Sequence, residues 1–450
     1  MKLDRQAAFT GTKDVAEALR FPVAPLEAYL TEKVAAFAGP LTVRQFKGGQ
    51  SNPTYLLETP QRRYVLRRKP PGKLLPSAHA VDREFRAITA LHPQGFPVAE
   101  PVIYCDDPGL IGTAFYVMGF ADGRVFWEPD MPASNPAERT AVYDAMNATL
   151  ARLHSFDPKA IGLGDFGRGE NYVARQVDRW SKQYRASETE KVDEMERLMD
   201  WLPQNLPPAG PVRVVHGDYR LDNMILAADA PRILAVLDWE LSTLGDPLAD
   251  FAYHLMQWDM PPSESMAGAS TLLGRDLAAL GIPARDAYVD AYVARTGLDP
   301  RPYLPVYLAY NFFRITAIIQ GIVGRVRDGT ATSEFAPTRA QMVRPMAAKA
   351  WEFARAAGAK RRRPLRPRLR SRSAAAARAA LPTSSSWKRS TNSACGRSRS
   401  PEARSARRSA LPTRPAFPAR RSGGTSLRWR TGAARPSRAC SARAPSRSRT

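Results

Sequence analysis

The sequence predicts an α+β chain of two lobes, a small β-rich one followed by a larger helical one, ending in a disordered basic tail. Three observations predict it. Short β-like runs crowd residues 41–120, helical spacing dominates from about 134 to 357, and the composition breaks at about Gly358. The expected divisions are a leader with one helix (1–39), the small lobe (40–121), the large lobe (122–358) and the tail (359–450).

The elements follow in order. Residues 25–38 read as a helix that Gly39-Pro40 stops. Runs at 41–46, 54–58 and 63–68 read as β-like, a Pro-Pro-Gly loop follows at 70–72, and an amphipathic helix spans about 80–91. Two more strands fall near 102–105 and 113–120. Helical spacing then marks 136–155, 170–200, 246–258, 284–297, 303–327 and 335–357, with β-like runs at 212–215 and 233–237 between them. The most apolar stretch, 304–323, is interrupted by Asn311, Arg314 and Gln320, so it reads as a buried helix and not a membrane span.

The formal charge of +23 suggests a nucleic-acid or membrane binder, but its distribution contradicts that. Residues 361–450 hold 24 Arg, one Lys and one acid, Glu402, so the preceding 360 residues are close to neutral. The tail has no Val, Ile, Met, Tyr, His, Gln or Asp, and such a chain cannot bury enough apolar surface to offset its ordering entropy. Its Arg, Ala, Pro and Ser are what GC-rich DNA encodes in a shifted frame, which is the expected origin; an Arg-rich arm binding polyanions is the alternative. Cys105, Cys395 and Cys440 show no zinc-ligand spacing, and no apolar signal segment opens the chain, so a cytoplasmic protein is expected.

The chemistry is concentrated in His216-Gly217-Asp218-Tyr219-Arg220-Leu221-Asp222-Asn223, which follows the run 212–215, and in Asp238, fifteen residues beyond Asn223. Phosphoryl transfer needs an acceptor held in line, metal ions across the phosphates and positive charge around them. Asp218 can orient a hydroxyl and accept its proton. Asn223 and Asp238 offer the hard oxygen ligands that Mg²⁺ prefers alongside substrate phosphates.

The segments VVHGDYRLDNMI and ILAVLDWELSTLGDPLADFAYH resemble the aminoglycoside phosphotransferase and choline kinase superfamily, over roughly residues 40–355. Within it, RRKPPGKLLPSAHAVDREF is most similar to the phosphotransferase domain linked to acyl-CoA dehydrogenases. The resemblance implies a protein-kinase-like bilobal fold, ATP and Mg²⁺ as cofactors, and a small-molecule hydroxyl as acceptor. In the linked branch it implies a hydroxyacyl group, such as a hydroxyacyl-CoA. An aminoglycoside or another amino alcohol or sugar is the alternative acceptor.

The resemblance also places a nucleotide site. Gly48, Gly49, Ser51 and Asn52 match the loop that covers the phosphates. Arg67 stands where kinases usually place the lysine that contacts the α- and β-phosphates. That is a departure, and Lys69 is the alternative cation. Glu84 matches the helix glutamate that holds this cation, and Met118 and Phe120 belong to the hinge that reads adenine. His216 is implied to support the loop. His154 reads as a structural histidine. Asp246 reads as a helix cap before Pro247, and Asp250 can brace the catalytic loop. Arg314, Gln320 and Arg325 recur along a late helix and suit an anionic acceptor, with surface ion pairs as the equal alternative.

Rival functions predict other features. A protein kinase needs a long activation segment after Asp238, and the chain enters a helix almost at once. A non-catalytic nucleotide-binding module is favoured only by Arg67. A nucleic-acid-binding protein rests on the tail, where only Trp387, Phe417 and Trp429 are aromatic.

Overall fold

The computed structural model describes residues 5–48, 52–71, 80–262, 271–329 and 336–360. Gly49, Ser51 and the basic tail lie outside these.

In the small lobe, β1 (Thr12–Lys13), β2 (Thr42–Phe46), β3 (Thr54–Glu58), β4 (Arg63–Arg68), β5 (Pro101–Cys105) and β6 (Phe115–Gly119) form one antiparallel sheet in the order β1-β2-β3-β4-β6-β5. Helices α1 (Arg5–Phe9), α2 (Val23–Lys33), α3 (Val81–Leu91) and the short α4 (Pro108–Ile111) accompany it. Side chains alternate across a strand, so the sheet has two buried faces. Tyr64, Leu66, Phe115 and Val117 pack with Leu26 and Leu30 of α2. Val65, Tyr116 and Met118 join the core shared with the large lobe. Burying Leu26 and Leu30 stabilises this outer core by about 1.5–3 kcal/mol each.

Residues 5–39 supply an edge strand and the helix that covers the outer face of the sheet. The expected helix over 25–38 starts two residues earlier and ends at Lys33, where Val34 turns extended and lets Phe37 enter the outer core.

The large lobe contains α5 (Pro136–Ser155), α6 (Tyr172–Ser187), α7 (Asp193–Trp201), α8 (Pro247–Leu255), α9 (Leu277–Leu280), α10 (Arg285–Thr296), α11 (Leu304–Arg327) and α12 (Ala340–Ala356). The expected helix over 170–200 is split, with Glu188 capping the first half in an extended conformation. Two small antiparallel pairs are embedded among the helices: β7 (Arg213–Val215) with β10 (Thr243–Gly245), and β8 (Met224–Leu226) with β9 (Ile233–Val236). The helix α11 is long and apolar enough to cross a membrane by length and composition, yet 78% of its apolar window is buried within the protein. It packs against α6, α8 and α12, as a core helix does.

Candidate active site

The catalytic loop leaves β7 at His216. Gly217 adopts φ +83, and a Cβ there would lie 2.9 Å from the Leu241 carbonyl, so the turn needs glycine. Asp250, on α8, accepts from the His216 N–H at 2.7 Å and the Gly217 N–H at 2.8 Å. His154 Nε2 donates to the same carboxylate at 3.2 Å, while its Nδ1 lies 2.7 Å from the Tyr292 hydroxyl. Burial pushes the Asp250 carboxyl up, but His154, His216 and the loop amide outweigh it and hold the pKa below the ordinary range. His154 is thus structural and Asp250 is a brace. Asp246 caps α8, accepting from Leu248 N–H at 2.9 Å. His216 donates through Nε2 to Leu237 O at 2.9 Å and accepts from the Asp218 N–H through Nδ1 at 3.2 Å, so it ties the loop to the end of β9.

These contacts present Asp218. Asn223 Nδ2 donates to the Asp218 carbonyl at 2.9 Å and to its Oδ2 at 3.1 Å. With the amide nitrogen committed, the Asn223 oxygen is the atom left for another partner. The Tyr253 hydroxyl donates to Asp218 Oδ1. Burial raises the Asp218 pKa, an effect that Arg220 and Tyr253 oppose and Asp238 adds to. Asp238 follows β9 in a left-handed conformation, φ +66, which aspartate tolerates better than most residues.

Arg67, on the β4 face shared with Val65, points into the cleft. Its Nη2 donates to Asp238 Oδ1 at 2.6 Å, and its Nε lies 2.9 Å from Glu84 Oε2. Glu84 is 1% exposed and also accepts from Asn52 Nδ2 at 2.7 Å and Tyr116 OH at 3.1 Å. Burial opposes the Arg67 charge, but Glu84 and Asp238 outweigh it, so the guanidinium stays charged. Burial raises the Glu84 pKa, while Arg67 pulls it back down.

If Arg67 holds phosphate and Glu84 holds Arg67, their losses should not add. Arg67→Met and Glu84→Gln are each expected to raise the KM for ATP or lower kcat. The double variant should be little worse than the worse single one in steady-state assays. Fully additive losses would separate the two residues and return Lys69 to contention.

Two cavities meet at this loop. The first, about 1110 Å³, is lined by Gly48, Arg67, Met118, Phe120, Asn223 and Asp238, with apolar walls from Val65, Ala99, Ile225 and Val236. Lys69 is not among its lining residues. The second, about 310 Å³, is lined by Asp218, Arg220, Tyr253, Arg314 and Arg339 and by an apolar wall that includes Ile315, Ile318, Ile322 and Met346.

Several expected site residues are committed to other contacts or stand away from the cavities. Asn52 is fully buried on Glu84 and lines neither cavity. The Gly119 and Phe120 N–H groups of the hinge are spent on Glu100 O at 2.8 Å and Arg63 O at 3.4 Å. Arg314 lines the second cavity, yet its Nη2 donates to Gly217 O at 2.7 Å and supports the loop. Gln320 donates to Ser187 O at 2.7 Å and Thr189 Oγ1 at 3.0 Å, and Arg325 lines neither cavity. Helix geometry explains this. Gln320 lies ~120° around α11 from Arg314, whereas Arg325 shares its face but sits ~16 Å along the axis.

The sequence pattern does not reveal two contributors. Residues 5–11 form a wall of the first cavity, where Arg5 Nη1 donates to Trp127 O at 2.8 Å and the Phe9 ring packs 5.1 Å from Trp127. Nothing in the periodicity of so short a segment signals this. Tyr253 is the other, although its spacing from Asp250, one helical turn, points it at the same loop.

One buried group makes the loop pH-sensitive. His254 Nδ1 donates to Tyr219 O at 3.2 Å, Nε2 lies 2.8 Å from Tyr288 OH, and burial pushes its pKa down to about 4. The unfolded chain binds that proton near pH 6.5. The contribution is therefore present above about pH 6.5 and is lost as pH falls toward 4, on the order of 3 kcal/mol. Melting temperatures across this range should fall less steeply for His254→Gln than for the natural chain.

Among the described residues no three His, Cys, Asp or Glu side chains stand together as a metal cage. Mg²⁺ needs none, because it is held by one or two side chains together with phosphates and water. Asp238 and the Asn223 oxygen fit that donor set.

A two-lobed fold with a carboxylate loop between two cavities defines a kinase-type phosphotransferase. Residues 42–303 match the family model described as the phosphotransferase enzyme family, APH. The chain belongs to that family of phosphotransferases. It is 43% identical over 344 residues to mouse (Mus musculus) Acyl-CoA dehydrogenase family member 10, covering 76% of this chain and 32% of that protein. It is 42% identical over 351 residues to chicken (Gallus gallus) Acyl-CoA dehydrogenase family member 11, covering 77% of this chain and 45% of that protein. The chain thus spans less than half the length of these relatives. A solved structure from Ralstonia eutropha JMP134, described as a candidate aminoglycoside phosphotransferase, is 49% identical with a TM-score of 0.68, covering 75% of this chain and 99% of that one. Choline kinase from Cryptosporidium parvum Iowa II, at 12% identity and a TM-score of 0.53 over 75% of this chain and 97% of its own, shares the fold.

Proposed function

We propose that this enzyme transfers the γ-phosphate of Mg²⁺-bound ATP to a hydroxyl of a hydroxylated acyl group, such as a hydroxyacyl-CoA. The nucleotide takes the first cavity, with its adenine between Val65, Ala99, Met118 and Val236 and its phosphates toward Arg67, Asn223 and Asp238. Mg²⁺ would be held by Asp238 and Asn223 and would neutralise charge on the phosphates. Asp218 orients the acceptor hydroxyl and receives its proton.

One observation carries the choice of acceptor. The cavity beside Asp218 joins an apolar wall to Arg339, with Arg220 and Arg314 beside it already held by Asp222 and the Gly217 carbonyl. Its acids are already engaged: Asp222 with Arg220, and Glu240 near Arg67 at 3.9 Å. Burial, with the like charges of Arg220 and Arg5, lowers the Arg339 pKa, so an anionic group on the acceptor would relieve that site. An aliphatic chain with a negative group suits this lining better than a polycationic aminoglycoside. The names of the relatives agree with an acyl acceptor. A cytoplasmic setting is part of the same proposal; Cys105 is buried and has no disulfide partner among the described residues.

The test is an ADP-release screen with Mg²⁺ and ATP against hydroxyacyl-CoAs, amino sugars, choline and homoserine. Turnover with hydroxyacyl-CoAs is expected. Turnover confined to amino sugars or choline would overturn the acyl reading and leave the kinase reading intact.

A further inference from the structure

Three residues on one face of α8 hold the catalytic loop. Asp250, Tyr253 and His254 stand at positions i, i+3 and i+4, which share a face of a helix. Asp250 takes the N–H groups of His216 and Gly217, and His254 holds the carbonyl of Tyr219. Tyr253 alone among the three reaches the reactive carboxylate, donating to Asp218 Oδ1. Asn223 holds the other oxygen at 3.1 Å.

Tyr253 is itself clamped. It is 7% exposed, and the Arg314 guanidinium lies over its ring, 5.2 Å from the centroid. Arg314 in turn donates to Gly217 O at 2.7 Å, inside the same loop. The hydroxyl is a fixed donor, because burial and the neighbouring Asp218 push its pKa far above neutrality. Tyr253 and Asp218 line the same cavity, where the acceptor would lie.

We propose that Tyr253 is a positioning residue for the phosphotransfer, fixing the Asp218 carboxylate in the one orientation that meets the acceptor hydroxyl. An aspartate carboxyl turns easily, because its terminal torsion is broad and two-fold. A competing partner is at hand: Arg220 Nε lies 4.0 Å from Asp218 Oδ1 and already donates to Asp222 at 2.9 Å. Without the phenol, Asp218 is free to turn toward Arg220, whose charge attracts it. Arg314, which the sequence suggested as a substrate ligand, then anchors both the loop backbone and the ring that aims the base. Tyr253 acts on the base alone, so its role rests on the kinase reading and is the same whichever acceptor is used.

The test uses the full chain and the variant Tyr253→Phe, which keeps the ring and removes the donor. Crystals of the variant with AMP-PNP and Mg²⁺ should show Asp218 turned toward Arg220 or in more than one rotamer. AMP-PNP affinity by calorimetry should stay within about twofold of the natural chain. Transfer of label from γ-³²P-ATP to small molecules of a metabolite extract should fall about 10- to 100-fold. Genetically encoded 4-aminophenylalanine at position 253, which restores a donor on the same ring, should recover part of that loss. An unchanged single Asp218 rotamer in Tyr253→Phe, or label transfer at the natural rate, would overturn the proposal. A parallel loss of AMP-PNP binding would also overturn it, by assigning Tyr253 to folding of the loop rather than to aiming the base. No label transfer by the natural chain would instead count against the kinase reading, and the Asp218 rotamer would still report on Tyr253.

Discussion

Asp218→Asn is expected to lower kcat by about 10²–10⁴-fold while leaving nucleotide affinity nearly unchanged. The substitution keeps size and shape but removes the proton acceptor. Asparagine keeps one of the two contacts as an acceptor: its amide oxygen can take the Asn223 Nδ2 donor, while its NH2 faces the Tyr253 hydroxyl oxygen, which can turn and accept. The loop is braced through Asp250 and His216, neither of which is changed. The loss should therefore appear in kcat and not in the KM for ATP, and the fold should melt near its natural temperature. Single-turnover measurements would separate the two effects. Natural turnover in Asp218→Asn would remove Asp218 from the chemistry.

The second large effect is expected at Asp238. Asp238→Ala should abolish Mg²⁺-dependent nucleotide binding, because the triphosphate would lose the carboxylate that holds its counter-ion. The variant also frees Arg67 from its 2.6 Å contact with Asp238, leaving it to Glu84. Residual nucleotide binding should therefore be insensitive to Mg²⁺. Calorimetry with and without Mg²⁺ checks this, and an unchanged affinity for Mg²⁺-bound ATP would show that Asp238 does not hold the metal.

Much of this was legible in the sequence. Strands β3 and β4 fell on their expected β-like runs, because a strand with both faces covered concentrates apolar residues within a few positions. The HGDxxxxN spacing and the later Asp238 were readable because loop geometry, not distant packing, sets their separation. Asp250 was readable because capping chemistry at Asp246 fixes where α8 begins and so which residues face β7.

The remainder depended on contacts between segments far apart in the chain. Periodicity tells which residues of α11 share a face, but not that Ser187 and Thr189 would receive Gln320. Asn52 sits in a loop whose glycines suggested phosphate, yet Glu84, thirty-two residues on, captures its amide. The contacts of the N-terminal segment were not legible, because Arg5 and Gln6 reach partners more than a hundred positions away. Tyr253 lies on a buried helix beside Phe251 and His254, and only the position of Asp218 distinguishes it from these neighbours.

A label-transfer measurement decides most directly whether Asp218 drives phosphotransfer to a small molecule. The full chain, Mg²⁺ and γ-³²P-ATP are incubated with a protein-free metabolite extract, with Asp218→Asn run in parallel. Label is expected to move from ATP into a small phosphorylated product, one phosphate per ADP formed, and Asp218→Asn should form almost none. ATP that binds but never gives up its γ-phosphate, or label that appears only on protein, would rule that chemistry out.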